Sequence, residues 1–117
     1  MMNKIKLIVA AMLAAALCLL CGCADVSNAK ITLDSSDKFT KEQLQDAAQA
    51  AINSFKYDFD GTLETVEYDK EFSDYWGTDC DVLLRLTFKN SEGEDDFRSY
   101  CLLYENNSWT VDGYGYP

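Results

Sequence analysis

Thr40-Lys41-Glu42-Gln43-Leu44-Gln45-Asp46-Ala47-Ala48-Gln49-Ala50-Ala51-Ile52-Asn53-Ser54-Phe55 is the stretch that decides the fold. Leu44, Ala47, Ala48, Ala51, Ile52 and Phe55 recur at steps of three and four, which makes one apolar stripe along a helix. Lys41, Gln45, Asp46, Gln49 and Asn53 fall off the stripe and stay wet. Thr40 fits an N-cap, and Gln43 fits the reciprocal capping-box position. Phe39 is placed to staple onto Leu44. A stripe this rich in alanine predicts close approach to a sheet.

From Thr62 onward the apolar period changes to two. Thr62 to Tyr68 reads as a strand with Val66 and Tyr68 on its packed side. In residues 81–89, Val82, Leu84, Leu86 and Phe88 alternate with Leu83, Arg85, Thr87 and Lys89, a half-buried strand. Asn90-Ser91-Glu92-Gly93 is a turn. Phe97, Ser99, Cys101 and Leu103 then alternate with Arg98, Tyr100, Leu102 and Tyr104. Asn106-Asn107 tolerates positive φ and predicts a tight hairpin, after which Trp109 to Asp112 closes the sheet with Trp109 in the core. The expected class is α+β: one N-terminal amphipathic helix packed across a four-stranded antiparallel meander. Residues 39–117 are expected to form this single domain. Residues 23–38, with their Ser, Asn and Asp, read as a tether in which Lys30-Ile31-Thr32-Leu33 has the pattern of an edge strand.

The head of the chain is different. Met1 to Lys6 carries two lysines and no acid, and Leu7 to Leu20 carries no charge. A bilayer-spanning helix needs about 20 apolar residues, so the run is short for one and suits a signal peptide. Leu20-Cys21-Gly22-Cys23 resembles a bacterial lipobox, with Leu at −3, a small residue at −1 and Cys at +1. That resemblance implies a diacylglyceryl group on the Cys23 thiol, cleavage between Gly22 and Cys23, and a signal peptide over residues 1–22. The expected location is the extracytoplasmic face of the cell membrane, held by the covalent lipid on Cys23. Two acyl chains give stable anchoring where one is marginal.

Composition excludes whole classes of chemistry. The 117 residues contain no histidine, which removes Ser-His-Asp and Cys-His catalysis and His-ligated zinc. Net charge is −10, and a chain this acidic is a poor binder of nucleic-acid phosphates. After removal of the signal about 95 residues remain, one compact domain with little room for an enclosed catalytic cavity. No catalytic residue, metal ligand or cofactor is expected. Of the five cysteines, only Cys80 and Cys101 are left to pair. Centring the turn near Glu92 and Gly93 sets Cys101 opposite residue 84 and Cys80 opposite residue 105. The offset of roughly 13 Å exceeds the ~7 Å Cα limit for a bridge. Two reduced thiols are therefore expected, with Cys101 in the core beside Leu84 and Leu103, unless the Gly77–Asp79 segment folds back over the sheet.

The order of elements resembles the cystatin-like and nuclear-transport-factor-like class. It is also similar to small lipoproteins of Gram-positive bacteria that carry no assigned activity. The likeness runs over roughly Phe39 to Tyr116, through Tyr68-Asp69, the apolar strand Val82 to Phe88 and the terminus Trp109 to Tyr114. It implies a fold and a location, and no activity. Asp58-Phe59-Asp60-Gly61-Thr62 is similar to the first motif of haloacid dehalogenase-type phosphotransferases, which would make Asp58 the nucleophile and Asp60 the acid/base. The context opposes it: an amphipathic helix precedes the motif where a buried strand is required. Only about 55 residues follow it. A helix-to-strand turn explains the same residues. Glu92, Glu94, Asp95 and Asp96 read as a solvated turn.

Aromatic residues offer the remaining candidate. Tyr75, Trp76, Tyr114 and Tyr116 form an expected ligand face for a protein, peptide or sugar. The leading expectation is a non-enzymatic, lipid-anchored binding module. The alternative is an inhibitor or immunity-type protein that presents Asp74 to Asp79 as a loop wedge to an extracellular enzyme.

Overall fold

The computed structural model describes residues 23–117; the expected signal peptide lies outside them. In chain order the elements are β1 (Lys30–Leu33), α1 (Lys41–Asp58), β2 (Thr62–Tyr68), α2 (Lys70–Trp76), β3 (Val82–Lys89), β4 (Asp95–Glu105) and β5 (Ser108–Gly115). They make one α+β unit around a five-stranded sheet of order β1-β2-β3-β4-β5. The expected all-antiparallel meander of four strands is thus corrected. β1 pairs with β2 in parallel, Lys30 opposite Thr65 through Leu33 opposite Tyr68. Only the remaining pairs are antiparallel. Parallel neighbours need a long crossover, and α1 supplies it, so the long helix follows a strand and is not the first element.

The cap of α1 is the one its sequence predicts. Thr40 Oγ1 accepts from the Gln43 N–H, and Gln43 Oε1 accepts from the Thr40 N–H at 2.8 Å. The buried residues of α1 are Leu44, Ala47, Ala48, Ala51, Ile52 and Phe55, the whole expected stripe. They pack on Val66, Val82, Leu84, Leu86, Phe88, Tyr100 and Leu102. Phe39 spends its ring on Trp109, 4.9 Å between centroids, and on Tyr104 at 5.6 Å. Trp109 is partly buried against the core from β5.

The assignment of faces on β4 is reversed from the expectation. Leu84 lies opposite Tyr100 and Leu83 opposite Cys101, one residue from the expected register. The cause is a five-residue turn, 90–94. Asn90 N–H donates to Glu94 O, Asn90 Oδ1 accepts from Glu92 and Glu94 N–H, and Gly93 sits at φ 78°. A slip of one residue moves every side chain to the other face. Tyr100 and Leu102 are therefore under α1, while Ser99 and Cys101 look out from the back of the sheet. Burial pushes the Tyr100 phenol above its ordinary value, and the Asp58 charge adds to it.

The back face carries the second correction. Cys80 and Cys101 are joined in a disulfide, with Cα atoms 5.4 Å apart. Only Asp81 joins the ladder, donating its N–H to Leu102 O. Before it, the chain turns back. Cys80 N–H donates to Gly77 O and Gly77 N–H to Ser73 O. The turn carries Cys80 across the strands and removes the axial offset that extended pairing would impose. Gly77 is required here, because a Cβ would fall 2.7 Å from Ser73 O and 2.8 Å from Leu83 Cβ. Ser73 Oγ, buried, accepts from the Leu83 N–H at 2.9 Å and fastens α2 to β3.

Denatured protein should take up no alkylating reagent at Cys80 or Cys101 until it is reduced, as intact mass will show. The bridge closes a loop with a sequence separation of 21. Loop-closure entropy for such a loop gives about 3 kcal/mol. The double substitution Cys80→Ala, Cys101→Ala should lower unfolding stability in denaturant by that amount.

Candidate functional site

Residues that were expected to form a tether are part of the fold. Ala24 is 5% exposed and belongs to the core. Its N–H donates to Lys56 O at 3.1 Å, in the last turn of α1. Asp25 N–H donates to Gly61 O, Leu63 N–H donates to Asp25 O, and Asp25 bridges Thr62 in parallel fashion. Ser27 Oγ and N–H both donate to the Asp25 carboxylate and hold it below the usual carboxylate range. The first described residue, Cys23, is half-buried at the mouth of this arrangement.

The aromatic candidates are partly brought together. Trp76 and Tyr116 border one cleft of about 460 Å³ on the back of the sheet, with Leu83, Ser99 and the Cys80–Cys101 bridge in its floor. Trp76 is 55% exposed and Tyr116 62%. Tyr75, the most exposed at 74%, stands edge-on to Trp76 at 4.9 Å and borders nothing else in the cleft. Tyr114 contributes to the wall, but its ring goes elsewhere. It stacks on Tyr100 and meets Phe59 edge-on, both at 5.1 Å. The reason is the bulge in β5: Leu102 faces Val111, yet Cys101 faces Gly113. The extra residue, Asp112, transfers Tyr114 to the α1 side.

Tyr75 and Trp76 are not loop residues. They end the helix α2, whose N-cap Asp69 accepts from the Phe72 N–H. The Asp74–Asp79 segment is therefore not a loop throughout. It is helix to Trp76 and then a turn fastened by Gly77, Ser73 and the disulfide. Sequence reasoning also missed Ser99 and Arg85. Ser99 Oγ is buried in the cleft floor without a hydrogen-bond partner, and so is Arg85 Nε in the neighbouring strand. The Arg85 guanidinium lies 4.5 Å from the Phe97 ring and 5.9 Å from Phe72. It thereby clips α2 to the sheet from the side opposite α1. An arginine in a strand of alternating apolar residues was the available signal.

Asp58 and Asp60 stand at a second cleft of about 420 Å³, with Phe59, Phe88, Asp96 and Arg98. Asp58 ends α1 and accepts from Ser54 Oγ at 3.1 Å. Gly61 follows at φ 92°, where a Cβ would strike Lys89 O. The sequence Asp-Phe-Asp-Gly is thus a helix-to-strand turn, with Gly61 fixed by close backbone approach and not by a buried strand before it. Arg98 donates to Asp96 Oδ1 at 2.8 Å and lies over Tyr116 at 4.4 Å. Burial acts to raise the Asp96 carboxyl, but the Phe97 N–H, Arg98 and the Tyr116 hydroxyl outweigh it and hold the carboxyl below the usual range. The cation of this cleft is thereby taken by a group of the chain itself. No cluster of three or more metal-ligating residues occurs among the described residues.

Titration calorimetry of the domain with millimolar Ca²⁺ or Mg²⁺ should give no saturable heat at Asp58 and Asp60. A stoichiometric site lost in Asp60→Asn would contradict this reading of the turn.

Among the described residues no helix is long and apolar enough to cross a membrane. Compared with family models, curated proteins and solved structures, the chain finds no match.

Proposed function

We propose that the protein is a lipid-anchored, extracytoplasmic binding domain without catalytic activity, whose ligand is received by the Trp76–Tyr116 cleft. The single observation that carries the binding site is the concentration of exposed aromatic surface there. Tyr75, Trp76 and Tyr116 are exposed beside a floor that holds a buried, unpartnered Ser99 hydroxyl. Open aromatic faces with a few convergent polar atoms are the usual make-up of a site for peptides or sugars. The anchor rests on the lipobox Leu20-Cys21-Gly22-Cys23. The Cys80–Cys101 bond is consistent with an oxidising compartment. Against the inhibitor reading stands the clamped form of Asp74–Asp79. For the phosphotransferase reading, Asp58 and Asp60 lack the strand that would present them. The helix α1 laid across β2–β5 is what supports a cystatin-like fold class; β1 stands outside that likeness.

Fatty-acid labelling of the full chain in its bacterial host should be abolished by Cys23→Ser; continued labelling would assign the anchor to another residue. For the cleft, pooled cell-envelope peptides and glycan fragments are titrated against the ¹⁵N-labelled domain. The expected shifts fall on the Trp76 indole and on Ser99 and Tyr116, and disappear in Trp76→Ala, which should leave stability within about 0.5 kcal/mol because the side chain is largely exposed. Shifts confined to the Asp58–Asp60 cleft would overturn the assignment.

A further inference from the structure

Among the described residues, the hydrogen-bonded fold includes Ala24, one residue after the proposed acylation site. A flexible tether is thereby excluded, because Ala24 and Asp25 are hydrogen-bonded to the end of α1 and the start of β2. We infer that the anchor on Cys23 has essentially no spacer. It holds the domain end-on, with the pole formed by the α1–β2 turn and the β3–β4 turn against the lipid headgroups.

This inference rests on the lipid-anchor reading and adds an orientation to it. The geometry follows from the register. Thr62, which Asp25 bridges, pairs with Lys89, and Lys89 pairs with Asp95. Cys23, the residues 57–62 and the turn 90–94 therefore share one end of the sheet. The β4–β5 turn, Asn106-Asn107, lies at the other end of β4. Eleven residues separate those ends, a span of roughly 35 Å at strand rise. The Trp76–Tyr116 cleft lies beside Ser99 and Cys101 in the middle of β4. It therefore opens to the side, close above the membrane and not toward it.

The partner surface is a bilayer, and its charge matters. The facing pole carries Asp25, Asp58, Asp60, Glu92 and Glu94, all exposed, against Lys56 in the last turn of α1. Lys89 at the same end is paired with Asp95 at 2.6 Å. Such a pole is repelled by anionic headgroups within about a Debye length. The covalent lipid must hold it down, and the exposed ring of Tyr57 is an apolar group of the pole available to the headgroup zone.

The test uses the full chain, acylated in its host and reconstituted in vesicles of phosphatidylglycerol and phosphatidylethanolamine carrying a headgroup spin label. A single fluorophore is attached through Ser91→Cys or Ser108→Cys, both exposed sites. The Ser91 probe should lose most of its emission and the Ser108 probe should keep most of it. A long Gly-Ser linker inserted between Cys23 and Ala24 should abolish that difference while membrane retention is unchanged. Equal quenching of the two probes without the linker, in protein shown by mass to be acylated on Cys23, would overturn the orientation alone. A chain that carries no lipid on Cys23 would overturn the anchor and the orientation together.

Discussion

Everything in this domain depends on α1 lying flush against the sheet. The stripe of Ala47, Ala48 and Ala51 has no side chain beyond a methyl group, and all three are fully buried. The helix backbone can therefore come close to Leu84, Leu86 and Leu102, and the larger Leu44, Ile52 and Phe55 fill the ends. Overpacking such a seam costs typically 1–3 kcal/mol. The end of this helix also fixes the start of the chain. The Lys56 carbonyl has no further turn to receive it and takes the Ala24 N–H, so the first residues after Cys23 are trapped where α1 stops.

The two faces of the sheet are built differently. One is covered by an 18-residue helix and is a dry core. The other is covered only in part, by seven residues of α2, a disulfide and the Arg85 guanidinium between two phenylalanine rings. Incomplete cover leaves the Trp76–Tyr116 cleft open, and the Cys80–Cys101 bond keeps its floor and its α2 wall in register. The proposed binding surface and the cross-link thus lie in the same small region.

Most of the regular structure was legible because periodicity is strong where burial is one-sided. The α1 stripe, its capping box and the apolar alternation of β3 stand where the residues predict them. The failures have local causes. The face of β4 depended on the length of the 90–94 turn, and an error of one residue inverted it; the disulfide was hidden by the turn at Gly77, which carries Cys80 back across the strands. α2 is less than two turns long and buries only Ser73, so no stripe announces it. Lys30–Leu33 is the edge strand its pattern suggests, but its parallel pairing across a crossover is a contact that no local pattern encodes. Of the candidate ligand residues, Trp76 and Tyr116 were legible as aromatics near glycine. The departure of Tyr114 was not, since it follows from a bulge at Asp112, and Ser99 was hidden by the wrong face assignment.

The orientation proposed for the domain requires Ala24 and Asp25, directly after Cys23, to be hydrogen-bonded into the fold. Hydrogen exchange of the Ala24 and Asp25 amides under native conditions measures this directly. Exchange as slow as that of Leu63 in β2, and slowing further in proportion to global stability, is the expected result. Exchange of Ala24 and Asp25 at the rate of an unstructured peptide, while Leu63 stays protected, would contradict the account, because the domain would then hang from a tether.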